Sequence, residues 1–377
     1  MVWHLMLILR CLALAAVFFS IGTIKSFAAS WNATKQQQIE TLASQLINGQ
    51  KPPSAVIGVS IDGETVWHKG YGAIAPGKAP DINTAYRIGS VSKQFTALAV
   101  LKLIEDGAQV PFSKQPLSLS TPVSQFFTNV DHWGAVQVRH LLTMTSGIPN
   151  HIADPLAISV GGGPRSAQGI LARIKQFTSQ GFGSFNYSNS NYFLLAHVIE
   201  IVRGAGTPAP PPSYSTYLHQ KIFEPAAMHS TYVIGDAVPP SASQALPVHK
   251  TPAMFFAPEW PKGAGHMVST VADLLKWDDA LSSGTLCNAS TLQSMLSPAA
   301  PMGPGAGSGS YAMGWIAYQT PAGKLHQHGG AIAGYTASNT IATLNDGTKV
   351  AVVVLTNTDQ VNHLETFARD VVATIAQ

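Results

Sequence analysis

Runs of β-type sequence lie near both ends of this 377-residue chain, with helical patterns between them. Near the N-terminus, runs 56–60 and 65–68 flank the turn pair Asp62-Gly63, which is typical of a hairpin. The C-terminal part contains three further runs, at residues 311–318, 335–344 and 349–356. Strands from both ends of the chain can form one sheet only if the residues between them lie outside that sheet. The sequence therefore predicts an α/β (α+β) body with an inserted helical region.

Helical patterns fill the rest of the chain. They are predicted at residues 94–105, 138–144, 192–202, 214–223, 270–281 and 364–376. Segments 205–213 and 299–310 are rich in Pro and Gly and are predicted to be irregular. We expect a body from roughly 30–100 and 260–377 and a helical region from roughly 101–259, within one mature domain of residues 29–377.

The first 28 residues have the features of a signal peptide. Residues 11–24 are an almost uninterrupted apolar run, and Ser26-Phe27-Ala28 places small residues at the −3 and −1 positions of a cleavage site. The run is shorter than the ~20 residues that a spanning helix needs. We therefore expect a periplasmic or secreted protein without a stable membrane span after cleavage; the alternative is a retained anchor.

Cysteine usage limits the covalent chemistry. The chain has two cysteines, Cys11 in the predicted leader and Cys287. Cleavage would leave one, which excludes an intrachain disulfide. Cys287 is expected to be unreactive, because its surroundings suggest neither a helix N-terminus nor a cationic neighbour to lower its pKa.

Composition excludes some function classes. Charged residues make up 11% of the chain, the net charge is +3, and no Lys/Arg run occurs. Nucleic-acid binding needs a basic stripe that neutralises phosphates, so no nucleic-acid partner is expected. The histidines are scattered and no His-Glu-x-x-His or Cys-x-x-Cys motif occurs, so neither a metal nor another cofactor is expected.

Ser90 and Lys93 stand three residues apart in the segment Tyr86-Arg-Ile-Gly-Ser-Val-Ser-Lys, at the start of a predicted helix. On a helix this spacing places both side chains on one face. A serine hydroxyl is a weak nucleophile until a base takes its proton, and a half-buried lysine can accept that proton or lower the pKa of another base. We predict Ser90 as the nucleophile and Lys93 as its catalytic partner; the alternative is an N-cap serine beside a solvated lysine.

Tyr187 and Asn189 form a second constellation, before another predicted helix. A phenol has an ordinary pKa of about 10, but beside a lysine ammonium the phenolate is favoured and can act as a general base. Asn189 can orient Lys93 and hold a substrate amide. We predict Tyr187 as catalytic and Asn189 as substrate-binding; the alternative is a helix cap with Tyr187 in the core.

His328-Gly329-Gly330-Ala331 precedes the last predicted strands. Glycines here would let a substrate backbone lie close to a strand. The N–H groups of Ser90 and Ala331 are the predicted oxyanion donors. We predict His328, Gly330 and Ala331 as substrate-binding; the alternative is a turn with an incidental histidine.

In this order, Ser90-x-x-Lys93, Tyr187-x-Asn189 and His328-x-Gly330 resemble the motifs of the serine β-lactamase family, in the branch of class C β-lactamases, D-alanyl-D-alanine carboxypeptidases and related esterases. The likeness covers nearly the whole mature chain. Residues 138–149 look like the family segment RHLLTHTSGLP, and residues 265–273 are similar to GGLVSTAxD. The resemblance implies an antiparallel sheet flanked by helices, a helical domain, and a site between them.

His328 departs from the family pattern, because class C β-lactamases have Lys-Thr-Gly where this chain has His328-Gly-Gly. The histidine form looks more like the carboxypeptidases, D-amino-acid peptidases and esterases of the family. We therefore expect a secreted serine hydrolase that forms an acyl-serine with a small-molecule or peptide substrate: an ester, a D-amino-acid peptide or a β-lactam. The alternative is a catalytically silent penicillin-binding-like module that recognises peptidoglycan fragments.

Overall fold

The computed structural model describes residues 31–154, 166–204, 213–239, 243–246, 248, 260–303 and 309–377. The predicted leader and nearly all of segment 205–213 lie outside them. The strands of the described residues are β1 (Ser54–Ile61), β2 (Glu64–Gly72), β3 (Thr84–Arg87), β4 (Tyr232–Val233), β5 (Ser243–Gln244), β6 (Met267–Ser269), β7 (Ala300–Pro301), β8 (Ser310–Tyr311), β9 (Ile316–Thr320), β10 (Gly323–Ile332), β11 (Tyr335–Leu344) and β12 (Lys349–Thr356).

The same described residues also form nine α-helices. They are α1 (Ala33–Gln50), α2 (Ser92–Glu105), α3 (Val138–Leu142), α4 (Ala167–Ile174), α5 (Asn189–Gly204), α6 (Tyr214–Leu218), α7 (Val271–Ser282), α8 (Ala289–Leu296) and α9 (Leu364–Ile375). Among them, none is both long and apolar enough to cross a bilayer.

The main sheet is antiparallel, and both ends of the chain contribute to it. Within the described part of the chain its order is β2-β1-β12-β11-β10-β9-β8-β7, and β1 pairs with β12 over seven residues, from Ala55↔Thr356 to Ile61↔Val350. The predicted hairpin at Asp62-Gly63 is confirmed. Both turn residues have positive φ, 49° and 86°, which matches a tight turn between twisted strands.

Helices cover both faces of this sheet. On one face lie α1 and α9, and α9 presents an apolar stripe that includes Phe367, Val371 and Ile375 at helical spacing. The opposite face carries α2, α5 and α7, where Phe95 packs on Trp277 at 4.1 Å between ring centroids. The predicted antiparallel sheet between helices is thus confirmed.

A smaller sheet, in the order β4-β6-β3-β5, determines where the predicted nucleophile Ser90 lies. Strand β3 pairs antiparallel with β6 through Tyr86↔Ser269 and Arg87↔Val268. Because the pairing is antiparallel, the residues that follow β3 and those that precede β6 meet at one end of this sheet. That end holds Ser90 on one side and Ala264 on the other.

Some elements differ from the sequence-based expectation. Helices α1, α4 and α8 were not predicted; α1 buries only Ile39 and Ala43 completely, so its apolar pattern is weak. The predicted strand 311–318 is interrupted between β8 and β9, where Gly314 has a φ of 80° and approaches the backbone of Lys93. The predicted helix 214–223 continues beyond α6 as a π turn, His219–Phe223.

Candidate active site

Ser90 lies on the 3₁₀ turn Gly89–Val91, between β3 and α2. Gly89 has a φ of 50°, and a Cβ there would lie 2.9 Å from the backbone nitrogen of Ala331 on β10. The turn therefore needs glycine both for its left-handed backbone and for its close approach to the sheet. This approach brings Ser90 next to the strand that carries His328 and Ala331.

Lys93 is completely buried one turn further along, at the beginning of α2. Its Nζ donates to Ser90 Oγ at 2.9 Å, to Asn189 Oδ1 at 2.8 Å and to the backbone oxygen of Ala264 at 2.7 Å. None of the ion pairs among the described residues involves Lys93. Because three neutral oxygens are poor compensation for lost hydration, burial lowers the pKa of Lys93 well below its ordinary value.

Tyr187 reaches the nucleophile from the opposite side. Its hydroxyl donates to Ser90 Oγ at 2.9 Å, and Nζ of Lys93 lies 5.0 Å from the centre of its ring. Burial raises the pKa of Tyr187 above its ordinary value, and the hydrogen bond to Ser90 offsets only part of the rise. The expectation of a phenolate favoured by the lysine was wrong for this resting site, because burial disfavours the charged form of both partners.

Asn189 is the first residue of α5 and joins the two motifs. Its Oδ1 accepts from Lys93, while its backbone N–H and its Nδ2 donate to Oδ1 of Asn150, at 3.2 and 3.3 Å. These bonds fix the amide so that its oxygen faces Lys93. The expected orientation of Lys93 by Asn189 agrees with this geometry, and one N–H of its amide is left for a substrate.

His328 is only 3% exposed, and both of its ring nitrogens have partners. Nδ1 lies 2.6 Å from the backbone oxygen of Gly329, and Nε2 lies 3.2 Å from the hydroxyl of Tyr311. A carbonyl oxygen only accepts, so Nδ1 carries the proton and Nε2 accepts from Tyr311. Burial lowers the pKa of His328 to about 3, so the ring is uncharged at neutral pH. The ring centres of Tyr187 and His328 are 6.2 Å apart, so His328 forms a neutral wall beside the nucleophile.

Gly330 and Ala331 lie on β10 against the nucleophile turn. A Cβ on Gly330 would collide with the backbone oxygen of Ile88 and would lie 3.2 Å from the backbone nitrogen of Ser90. The sequence-based expectation placed a substrate backbone in this space, but it is the turn of Ile88 and Ser90 that occupies it. Ala331 is exposed at the end of the same strand, beside Gly89.

The structure brings all seven predicted site residues together and adds three that sequence reasoning missed. Asn150 follows the recognised segment 138–149 by one residue, and its amide was the available signal. Ala264 contributes only a backbone oxygen, which no side-chain pattern reveals. Tyr311 was taken as an ordinary strand residue; only the pairing of β8 and β10 with β9 brings its hydroxyl to His328.

Cys287 remains outside this site. It is followed by Asn288, which caps α8, and Lys102 is close enough to influence it, so the expected lack of a helix N-terminus and of a cation was wrong. Burial nevertheless raises the pKa of Cys287 to about 11, with a further contribution from Glu105. The thiol is therefore not activated. Within the described ranges, no three His, Cys, Asp or Glu side chains are grouped as a metal site.

Comparisons with known proteins agree with this geometry. The family model "Beta-lactamase" matches residues 39–377. Penicillin-binding protein 4* of Bacillus subtilis is 25% identical over 335 residues, which is 80% of this chain and 68% of the relative. A second relative from Bacillus subtilis, PbpX, is 29% identical over 276 residues, which is 71% of this chain and 62% of PbpX. The chain therefore spans less than two thirds of PbpX.

Solved structures share the fold. A penicillin-binding protein homologue from Pyrococcus abyssi, described as octameric, has a TM-score of 0.72 and 26% identity, over 89% of this chain and 76% of its own. A D-amino acid amidase from Ochrobactrum anthropi has a TM-score of 0.71 and 20% identity, over 91% of this chain and 97% of its own. At that identity the amidase supports the fold alone. With a family model that matches about nine tenths of its length, this chain belongs to the β-lactamase family of serine hydrolases.

Proposed function

We propose that this protein hydrolyses esters and related acyl compounds through an acyl-serine on Ser90, and that it is exported to the periplasm or beyond. The observation that carries the proposal is the pair of hydrogen bonds at Ser90 Oγ, one from Lys93 and one from Tyr187, both 2.9 Å long. A structural serine has no need of two such groups converging on one oxygen.

The protonation states of Lys93 and Tyr187 determine which of them gives and which accepts a proton. Lys93 has a depressed pKa, and as a neutral amine it donates to Asn189 and Ala264 while its lone pair accepts the Ser90 proton. Tyr187 keeps its proton in the resting site. As Ser90 Oγ forms a bond to the substrate carbonyl carbon, the carbonyl oxygen becomes negative. The N–H groups of Ser90 and Ala331 are the donors that we assign to it.

Collapse of this intermediate breaks the bond to the leaving group, which takes a proton from Tyr187. Lys93 then passes on to Tyr187 the proton that it took from Ser90, so both side chains regain their resting states. In the second half, water gives a proton to Lys93 as its oxygen attacks the acyl carbon. Breaking the ester bond to Ser90 releases the acid, and the lysine proton returns to Oγ. One proton thus leaves with the leaving group and one enters from water, and each passes through a side chain that lies at the nucleophile.

The neutral His328 supports a preference among substrates. A lysine at this position would recognise a substrate carboxylate with a charge-assisted hydrogen bond, whereas an uncharged imidazole whose nitrogens are both engaged does not. We therefore propose that short acyl esters and D-amino-acid amides, which have no carboxylate, are better substrates than cephalosporins, which carry one.

A three-substrate screen tests the proposal. We expect kcat/KM on p-nitrophenyl butyrate to exceed that on a chromogenic cephalosporin by at least about tenfold, the scale of one lost charge-assisted contact. A D-Ala-D-Ala peptide serves as the third substrate. Faster cephalosporin turnover would contradict the ranking, and the lack of turnover on all three would favour the alternative of a silent peptidoglycan-binding module.

A further inference from the structure

The chain from Met144 to Asn150 lies alongside the motif of Tyr187 and Asn189. At one end, the backbone oxygen of Met144 accepts from the N–H of Asn186 at 2.8 Å. At the other end, Oδ1 of Asn150 accepts from the backbone and from the side chain of Asn189, at 3.2 and 3.3 Å. One segment of the chain therefore holds both ends of the motif.

The thioether of Met144 holds the middle of the same motif. Its Sδ accepts from the backbone N–H of Ser188 at 3.4 Å and from Nδ2 of Asn191 at 3.3 Å. All three residues are buried, with at most 1% of their surface exposed. Because Ser188 directly precedes α5, its N–H has no partner within that helix. A buried methionine is ordinarily apolar filler, but here its sulfur is the acceptor for two buried donors.

The backbone of Met144 is strained. Its φ of 60° lies in the left-handed region, which residues with a Cβ seldom occupy. Such a conformation persists only where the surrounding contacts fix it, and it is often found at functional sites. The strain and the sulfur contacts are separate observations on one residue, and both point to a requirement for Met144 at this place.

We propose that Met144 is a positioning residue for Tyr187, which it fixes by holding the N–H of Ser188. The proposal deepens the function proposed for Ser90 and rests on it. The hydroxyl of Tyr187 donates to Ser90 Oγ at 2.9 Å, close to the upper limit of an ordinary O–H···O bond. A movement of the Ser188 backbone by about 1 Å would therefore break the contact through which Tyr187 gives its proton.

Met144→Leu removes the acceptor and keeps the rest of the residue nearly unchanged. Leucine has a similar volume and, like methionine, is unbranched at Cβ, so packing and backbone strain stay comparable. We expect kcat on p-nitrophenyl butyrate to fall at least about tenfold while KM stays within about twofold, because a misplaced Tyr187 affects the chemical step rather than binding. Amide hydrogen exchange at Ser188, measured by NMR, should become at least about tenfold faster.

Met228→Leu is the matched control. Met228 is 1% exposed, and among the described residues no hydrogen bond to its sulfur occurs. This variant should keep the kcat of wild type and its exchange rate at Ser188. An equal loss of kcat in both variants would assign the effect to core packing and overturn the proposal, as would wild-type kcat in Met144→Leu.

Met144→His tests rescue and carries the test if Met144→Leu does not fold. Histidine is enriched at positive φ and has a ring nitrogen that can accept from Ser188, and the family segment RHLLTHTSGLP has histidine at this position. We expect kcat within about threefold of wild type and unchanged exchange at Ser188. A folded Met144→His variant that loses more than tenfold in kcat would overturn the proposal.

The two proposals fail in different ways. If wild-type protein hydrolyses no ester and is not labelled at Ser90, the proposed function fails. The exchange rate of the Ser188 amide still reports whether the sulfur of Met144 holds it. Active wild-type protein with the same exchange rate at Ser188 in Met144→Leu would overturn the role of Met144 alone.

Discussion

Nζ of Lys93 lies 2.9 Å from Oγ of Ser90 and has no acidic partner among the described residues. The lysine is held by oxygens of Asn189 and Ala264 instead, which fix its position without stabilising its charge as a carboxylate would. This combination of fixed position and depressed pKa is what a general base near neutral pH requires. It makes Lys93, rather than Tyr187, the titrating base of the resting enzyme.

The pH dependence of kcat/KM on a non-ionisable ester should show which group is the base. Since the neutral form of Lys93 is the active one, activity should rise as pH passes upward through its depressed pKa. His328→Lys adds a second positive charge nearby, which disfavours the lysine ammonium further and should move the rising limb to lower pH. His328→Gln should leave that limb in place, because His328 is already neutral there.

Tyr187→Phe distinguishes Lys93 from Tyr187 as the general base. If Lys93 is the base, the variant should be slower but should keep the rising limb at the same pH, because the titrating amine is still present. We expect a loss of about 10²-fold, the lower end of what a proton-transfer group contributes. A rising limb that disappears in this variant would identify Tyr187 as the titrating group.

Ser90→Ala should abolish covalent labelling by a fluorophosphonate and lower turnover by at least ~10³-fold, the scale of nucleophile removal. Ser92→Ala is the matched control: it is a buried serine at the start of the same helix, and its hydroxyl has no hydrogen-bond partner. The control should be labelled and active like wild type. Labelling that persists in Ser90→Ala would mean that another residue is the nucleophile.

The sequence was sufficient for the parts of the fold with strong local patterns. The Asp62-Gly63 hairpin, helix α2 and strands β11 and β12 follow from turn chemistry and periodicity, and the structure has them nearly where they were predicted. Strand β10 was missed because His326, Gln327, His328 and two glycines lack β-type composition. Its strand state comes from pairing with β9 and β11, which is tertiary information.

In the candidate site, too, residues with recognisable local patterns were predictable, whereas features that depend on tertiary packing were not. Three motifs in order indicated Ser90, Lys93, Tyr187, Asn189 and His328, because each carries a side chain with recognisable chemistry. Charge states could not be read from spacing, since burial determines the pKa of Lys93 and of Tyr187. Nor does spacing reveal a backbone acceptor such as Ala264.

Tyr311 is a positioning residue for His328, and Tyr311→Phe should leave Nε2 of the imidazole without its donor while the Gly329 carbonyl keeps the proton on Nδ1. We expect the ¹⁵N shifts of the His328 ring to show Nδ1–H in both proteins, with the Nε2 shift changed in the variant and kcat/KM for the ester lower by about tenfold. Tyr217→Phe, another buried tyrosine whose hydroxyl has no partner, is the control and should change neither. An Nε2–H tautomer in wild type would contradict the assigned hydrogen bonds.

Gly330→Ala tests whether β10 must lie directly on the nucleophile turn. The added Cβ would meet the backbone oxygen of Ile88, which cannot move without displacing Ser90. Overpacking of this kind costs about 1–3 kcal/mol, and the same displacement should reduce ester hydrolysis at least tenfold while KM changes little. Gly49→Ala is the control, because Gly49 lies in α1 with no atom within 4 Å of the added Cβ and should gain stability from helix propensity. Chemical denaturation and kcat measured on both variants check the prediction. Wild-type stability and activity in Gly330→Ala would show that β10 and the turn of Ser90 are not in the close contact on which the oxyanion assignment depends.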